Sequence, residues 1–348
     1  MLLVELYSYL CSINYNIIMR KILSGTILLL ATIALSTSCN QSISNHNDAP
    51  PFTIYRLDQA IYKSVQNGDF QATTNDSVMS LGADAITVML NVGHPDDSAY
   101  IKYVSSEAIK MFTPEVENKF PNLESIEGDM GIINKNFNQK LPQVKLEKIY
   151  SFVSPYRQSI YICDSTLLIA LNHYLGAEHE AYNGFEEYIK RNKEARFITY
   201  DIVEALISTY IAFETNGNDD LFSKMLYAGS IIEAKMQLIP NASLEDALGY
   251  TAEELEWANN NEETIWQALV SKELLYTTAY FDIDRILSPA PNTTIIHKDA
   301  PGRLGRYIGY KIVNSYIKKH SETTLKDLFT SDFYHSQQTL IDSGYAGK

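Results

Sequence analysis

The chain has 348 residues, 45% of them hydrophobic, and 28 Lys and Arg stand against 42 Asp and Glu for a formal net charge of −14. That is enough apolar material for a full core, in one large domain or two small ones. The acidic balance argues against a nucleic-acid partner, which needs a basic footprint, and against docking on an anionic bilayer by charge.

Residues 1–18 (MLLVELYSYLCSINYNII) are largely apolar, carry Glu5 and have no basic residue. Met19 opens a complete export signal by itself, so translation is expected to start there, with residues 1–18 an annotation artefact outside the fold. Arg20 and Lys21 precede an uncharged apolar run, Ile22 to Leu35, and then the small residues Ser36, Thr37 and Ser38 before Cys39. A basic end that stays cytoplasmic, an apolar run that enters the bilayer and a small-residue cut site make a secretory signal. The run is shorter than the ~20 apolar residues of a permanent span. L-S-T-S-C resembles a lipobox, with its Leu one place early at Leu35. This implies a lipid on Cys39 and cleavage before it. Losing residues 1–38 removes Arg20, Lys21 and Glu5 and takes the charge from −14 to −15. An ordinary signal peptide with an incidental Cys is the alternative. Asn40 gives no reason for retention at the inner membrane, and NQSIS lacks an acidic cluster for surface export. The expected location is therefore the outer membrane, facing the periplasm. Of the cysteines, Cys39 and Cys163 remain after cleavage, so no internal disulfide is expected. Cys163 ends the apolar run Ser159–Cys163 and reads as a buried, inert thiol.

Residues 39–51 read as a lipidated, flexible tether ending in Pro50-Pro51. Residues 52–348 read as a single globular domain. FTIYRL, from Phe52 to Leu57, alternates as a strand does and leads into a helix over 58–67. Residues 76–91 look helical with a Gly interruption, and 94–147 look like short helices. Residues 147–153 and 159–163 are two strand candidates, expected to pair as a hairpin across Ser154-Pro155-Tyr156-Arg157. From Tyr200 to Phe213, Ile202, Leu206, Tyr210 and Phe213 recur at helical spacing. Leu221 to Ile239 does the same until Pro240 and Asn241 stop it. Thr251 and Glu254 stand at capping-box spacing. Asn261 to Leu275 turns Ile265, Leu269 and Leu275 inward. Ser288-Pro-Ala-Pro291 interrupts the chain, and Leu304, Ile308, Ile312 and Tyr316 mark a last strong helix. The expected fold is α+β and mainly helical, a small N-terminal sheet packed against a helical bundle.

Three long segments carry a family resemblance: DSTLLIALNHYLGAEHEAY (Asp164–Tyr182), GYTAEELEWANNNEETIWQALVSKELLYTT (Gly249–Thr278) and SPAP…APGRLGRYIGYKIVNSYIKK (Ser288–Lys319). Together, and with the signal, they resemble the gliding motility-associated lipoprotein family GldB of the Bacteroidetes, over roughly Phe52 to Phe333. The resemblance implies an envelope lipoprotein tied to gliding and its linked secretion machinery, whose proteins would be its partners, with the membrane reached through the lipid. A weaker likeness, in the order of helices, is to a group of zinc peptidases. It makes a degenerate zincin-like scaffold conceivable and a hydrolase the rival hypothesis.

A zincin needs two His one helical turn apart with a Glu beside the first. The seven His (46, 94, 173, 179, 297, 320 and 335) contain no such pair. The nearest miss is His179-Glu180-Ala-Tyr-Asn183, with Asn at the second ligand position. The helix that by order would carry the motif, Tyr200–Phe213, offers Asp201 and Glu204. Asp201 is most simply an acidic residue favoured by the dipole of the first turn, the alternative being a catalytic carboxylate pair. Glu233 reads as a surface or ion-paired residue. Gly305 and Gly309 are one turn apart and invite close approach of another backbone. No nucleophile elbow or nucleotide loop is present. His173, His179, Asp201, Glu204, Arg303 and Arg306 are the candidate cleft residues, with no catalytic residue, no metal and no cofactor beyond the Cys39 lipid expected. Three hypotheses result: a non-catalytic accessory or assembly lipoprotein, a zinc-peptidase-like hydrolase, and a peptide- or glycan-binding module using an old peptidase cleft.

Overall fold

The run after Pro50-Pro51 forms the strand its alternation predicts. β1 (Ile54–Arg56) passes directly into α1 (Leu57–Asn67). The structure is a computed structural model that describes residues 49–67, 102–155, 158–217, 219–289 and 292–347. The helix expected over 76–91 lies outside those residues. Beyond them come not several short helices but two long ones, α2 (Glu107–Lys119) and α3 (Glu124–Lys140), and α2 runs through Pro114. Ser106 caps α2, accepting from the Ile109 amide. The start of the domain is fastened to α3. The Phe52 amide donates to the Glu127 carbonyl (2.8 Å), and the Ile54 amide to the Glu127 carboxylate (2.8 Å). Pro50 lies so close over Gly131 that a Cβ there would sit 2.1 Å from its carbonyl oxygen.

The sheet is completed by β2 (Lys148–Phe152), β3 (Ile160–Cys163) and β4 (Thr166–Ala170), in the order β1-β2-β4-β3. β1–β2 and β2–β4 are parallel, and β3–β4 antiparallel. The expected hairpin between β2 and β3 is therefore wrong: β4 sits between them, and the true hairpin is β3–β4, turning at Asp164, whose φ is 49°. TLLIA is a continuous apolar run, as suits a central strand covered on both faces. β3 is consequently an edge strand, and Cys163 at its end is exposed rather than buried.

The chain then becomes helical. A single turn, α4 (Glu187–Lys190), precedes α5 (Ile198–Tyr210), which packs against β3, α3 and the next helix, α6 (Leu221–Leu238). Asp220 caps α6, accepting from the Ser223 amide (2.9 Å). α7 (Leu244–Leu248) ends in Gly249, at φ 67°. α8 (Ala252–Asn260) opens with the predicted capping box, both Thr251–Glu254 bonds being formed. α9 (Glu262–Ser271) and α10 (Tyr280–Leu287) lead to α11 (Leu304–Lys319), and α12 (Ser331–His335) and α13 (Gln337–Ser343) close the chain. The fold is α+β and mainly helical, and none of the described helices is long and apolar enough to cross a membrane.

α6 and α11 form the most extensive helix pair. They touch backbone to backbone: a Cβ on Gly309 would lie 1.9 Å from the Met225 carbonyl oxygen, and one on Gly229 2.2 Å from the Gly309 carbonyl carbon. Gly305 instead abuts Ile286 and Leu287 of α10, each 2.8 Å from its would-be Cβ. Both glycines thus serve close packing, against different helices. Glu233 is not at the surface. It is buried on α6 and accepts from the Gln237 amide (2.8 Å).

Candidate functional site

Helical periodicity sets Tyr200, Glu204 and Ser208 of α5 one above another, with Asp201 beside them. Three cavities follow this stripe. The first, about 460 Å³, lies between α5 and the junction of α2 and α3, and includes Phe120, Ile126, Asp129 and Tyr200 in its walls. The second, about 140 Å³, is walled by Asp201, Glu204, Lys235, Arg303 and Arg306 among others. The third, about 290 Å³, has Phe213, Tyr227, Ile231 and Leu287 against Glu204 and Arg306. Tyr200 and Asp246 border both the first and second cavities, and Glu204 and Arg306 both the second and third.

The second cavity gathers four of the six candidate residues. α5 brings Asp201 and Glu204, and α11 with its N-cap brings Arg306 and Arg303. Glu204 is held by two cations, Lys235 Nζ at 2.5 Å on one oxygen and Arg306 Nη1 at 2.8 Å on the other. Burial works to raise its pKa, but the charges of Arg306 and Lys235 outweigh burial and hold the carboxyl well below the usual carboxylate range. Asp201 behaves oppositely. It accepts the Tyr174 hydroxyl (2.7 Å), yet burial dominates and pushes its pKa up. Its position in the first turn is as expected, but the helix dipole is not what governs it.

Arg303 adopts φ 60° and donates from Nη1 to the Leu248 carbonyl (2.7 Å). Its guanidinium packs on Gly249, where a Cβ would come within 2.0 Å of Nη1. Burial, and then repulsion from Arg306, pull its pKa down to about 10. Among the described residues no carboxylate oxygen lies within 4.0 Å of this guanidinium. Its Nε, and Oδ1 of the neighbouring Asn192, are sealed from water without a hydrogen bond.

The two histidines do not join this cavity. His173 is buried with Nδ1 at 3.2 Å from Lys193 Nζ. His179 caps a 3-10 turn, its Nδ1 accepting from the Ala181 amide (3.2 Å), with Nε2 3.8 Å from Glu115. Both rings are engaged outside the cavity, with Lys193, the Ala181 amide and Glu115. The described residues hold no group of three or more His, Cys, Asp or Glu that could bind a metal ion. Sequence reading missed Lys235, Asn192 and Gly249. Lys235 had a signal, a cation in the apolar second half of its helix that must find a carboxylate across a helix contact. Asn192 and Gly249 had none.

Comparison with known proteins gives one finding. A family model described as gliding motility protein GldB matches residues 38–347. No curated protein and no solved structure matches.

Proposed function

Since the chain belongs to the gliding motility protein GldB family, we propose that it is an outer-membrane lipoprotein, held by a lipid on Cys39 with its domain in the periplasm, and a non-catalytic accessory or assembly component of the gliding and linked secretion machinery. The cleft along α5 is then a docking site for an envelope partner. The observation that carries the non-catalytic reading is the state of Glu204. Both its oxygens are occupied by cations, and its proton affinity is too low for a general base at neutral pH. Lys235 is itself almost fully buried, so the pair is a fixed element of the wall.

One observation favours a second reading. Asp201 and Glu204 share a cavity with pKa values driven apart, the pattern of an acid and its partner carboxylate in a hydrolase. That reading needs Glu204 to act through an oxygen ion-paired to Lys235 or Arg306, and that pairing lowers its basicity and nucleophilicity.

Crosslinking in intact envelopes followed by purification tests the proposal. The expected result is capture of motility or secretion components by the wild type, incorporation of labelled palmitate, and loss of both in Cys39→Ser. Equal palmitate labelling of Cys39→Ser would remove the anchor. Stoichiometric zinc with peptide hydrolysis, both lost in Asp201→Asn, would replace the accessory role with the hydrolase.

A further inference from the structure

We propose that the cavity beside Arg303 binds the C-terminal carboxylate of a peptide ending in an apolar residue. The inference rests on reading the cleft as a docking site and names what docks there.

The first argument is charge. The walls include the cations Lys235, Arg303 and Arg306 and the carboxylates Asp201, Glu204 and Asp246. Glu204 is shared by Lys235 and Arg306, Asp201 takes the Tyr174 hydroxyl, and Asp246 lies 3.6 Å from Arg196. Arg303 alone among the three cations has no carboxylate at ion-pair distance among the described residues. A largely buried guanidinium whose nearby carboxylate, Glu204, is ion-paired to two other cations is costly, and an incoming anion relieves that cost.

The second argument is geometry. The Nη1 bond to Leu248 leaves the Nε–Nη2 edge, the side-on fork that fits a carboxylate with two parallel bonds. Nε is the sealed, unbonded donor, so a small tilt of the guanidinium towards a ligand satisfies it. Beside it stands an unbonded acceptor, Oδ1 of Asn192. The two sit in one corner: the would-be Cβ of Gly249 is 3.3 Å from both the guanidinium carbon and that oxygen. An anion that brings an N–H donor two bonds from its carboxylate serves both groups, and the last residue of a peptide has that arrangement. A phosphate or sulfate offers nothing to Asn192.

The third argument is what adjoins. The cavity's 140 Å³ holds a carboxylate and the atoms next to it, a water occupying ~30 Å³ of liquid. Across the Glu204–Arg306 pair lies the cavity walled by Phe213, Tyr227, Ile231 and Leu287, which takes an apolar side chain. Gly249 is required by this arrangement, because any side chain there would displace the guanidinium.

Calorimetric titration of the mature lipoprotein in detergent with N-acetyl-Ala-Phe tests the inference, beside the same dipeptide as its C-terminal amide and inorganic phosphate. The acid is expected to bind, with the amide weaker by at least about tenfold, as loss of a charged hydrogen-bonded pair implies. Arg303→Gln is expected to reduce the acid to the level of the amide. Arg303→Lys keeps the charge but loses the fork, and is expected to bind the acid several-fold more weakly than the wild type. Circular dichroism checks that each variant is folded. If Arg303→Gln does not fold, Asn192→Ala takes its place, with several-fold loss of acid binding expected. Equal binding of acid and amide, undiminished binding by the variants, preference for phosphate, or no binding of the acid each overturns the inference. The accessory role is tested separately by envelope crosslinks and metal content, so the two readings fail independently.

Discussion

Replacing Gly309 by Ala inserts one methyl group where α11 touches α6. That methyl carbon would lie 1.9 Å from the Met225 carbonyl oxygen and 2.6 Å from its carbon, whereas ordinary contact begins at 3.4 Å. The helices must therefore part by about 1.5 Å, since both obstacles are backbone and cannot rotate away. Overpacking of a core costs about 1–3 kcal/mol, and a backbone seam belongs at the upper end of that range. Exchanging Gly for Ala inside a helix returns about 1 kcal/mol. The net expectation is a loss of about 2 kcal/mol, or a fall in Tm of roughly 4 °C for a chain of this size. Gly128 is the internal control. It lies within α3 with nothing inside 4 Å of a built Cβ, so Gly128→Ala should gain about 0.5–1 kcal/mol. Urea and thermal melts followed by far-ultraviolet circular dichroism measure both. A Gly309→Ala variant that melts at or above the wild type would refute the backbone seam, and a Gly128→Ala variant that melts lower would show that propensity is not what the comparison reads.

Three further outcomes are expected. Glu204→Gln leaves Lys235 buried without its counter-charge and should cost about 3 kcal/mol at neutral pH. Because the folded pKa of Glu204 is depressed, its contribution is present above the unfolded value of 4.5 and fades as pH falls through the folded one; urea unfolding across acid pH should show the wild type and Glu204→Gln converging, and parallel curves would contradict this. Asp201 has the opposite sign: its folded pKa is raised, so the wild type loses stability as pH climbs from 3.8 through the folded value. Asp201→Asn, which can still accept the Tyr174 hydroxyl, should be more stable at pH ~7 and unchanged below pH ~3; destabilisation at neutral pH would argue against burial as the cause. Cys163 is exposed on the edge strand, so a maleimide should label it in the native protein, and labelling of Cys163 only after denaturation would place that thiol inside.

Where structure is local, the sequence predicted it well. α5 and α6 follow their apolar periodicity, and the Thr251–Glu254 box forms because both partners lie within one turn. Pairing that depends on distant chain was harder to see. TLLIA could be seen as apolar, but that it inserts between β2 and β3 is a property of the assembled sheet. The cleft divides the same way. Asp201 and Glu204 stood out on their helix, and Arg303 and Arg306 beside the glycines of theirs. That Glu204 meets Arg306 follows from α5 and α11 both packing on α6, which brings together residues 102 apart. The histidines lie outside this cavity, His173 buried against Lys193 and His179 capping its own turn and facing Glu115, contacts that periodicity along one helix does not reveal.

The fastening of Phe52 and Ile54 to Glu127 gains a mechanical meaning under the proposed lipid anchor. If Cys39 is held in a membrane as proposed, any tension between the lipid and a partner on the domain is delivered at Pro50. The stiff Pro50-Pro51 pair passes it on without stretching. It reaches α3 first, through the two bonds to Glu127, and then β1. β1 runs parallel to β2, so a pull along it shears the ladder bonds together rather than peeling them one by one. The three-residue strand that contributes least to the sheet's area is thus the coupling through which force would enter the fold, and Glu127 is its rivet.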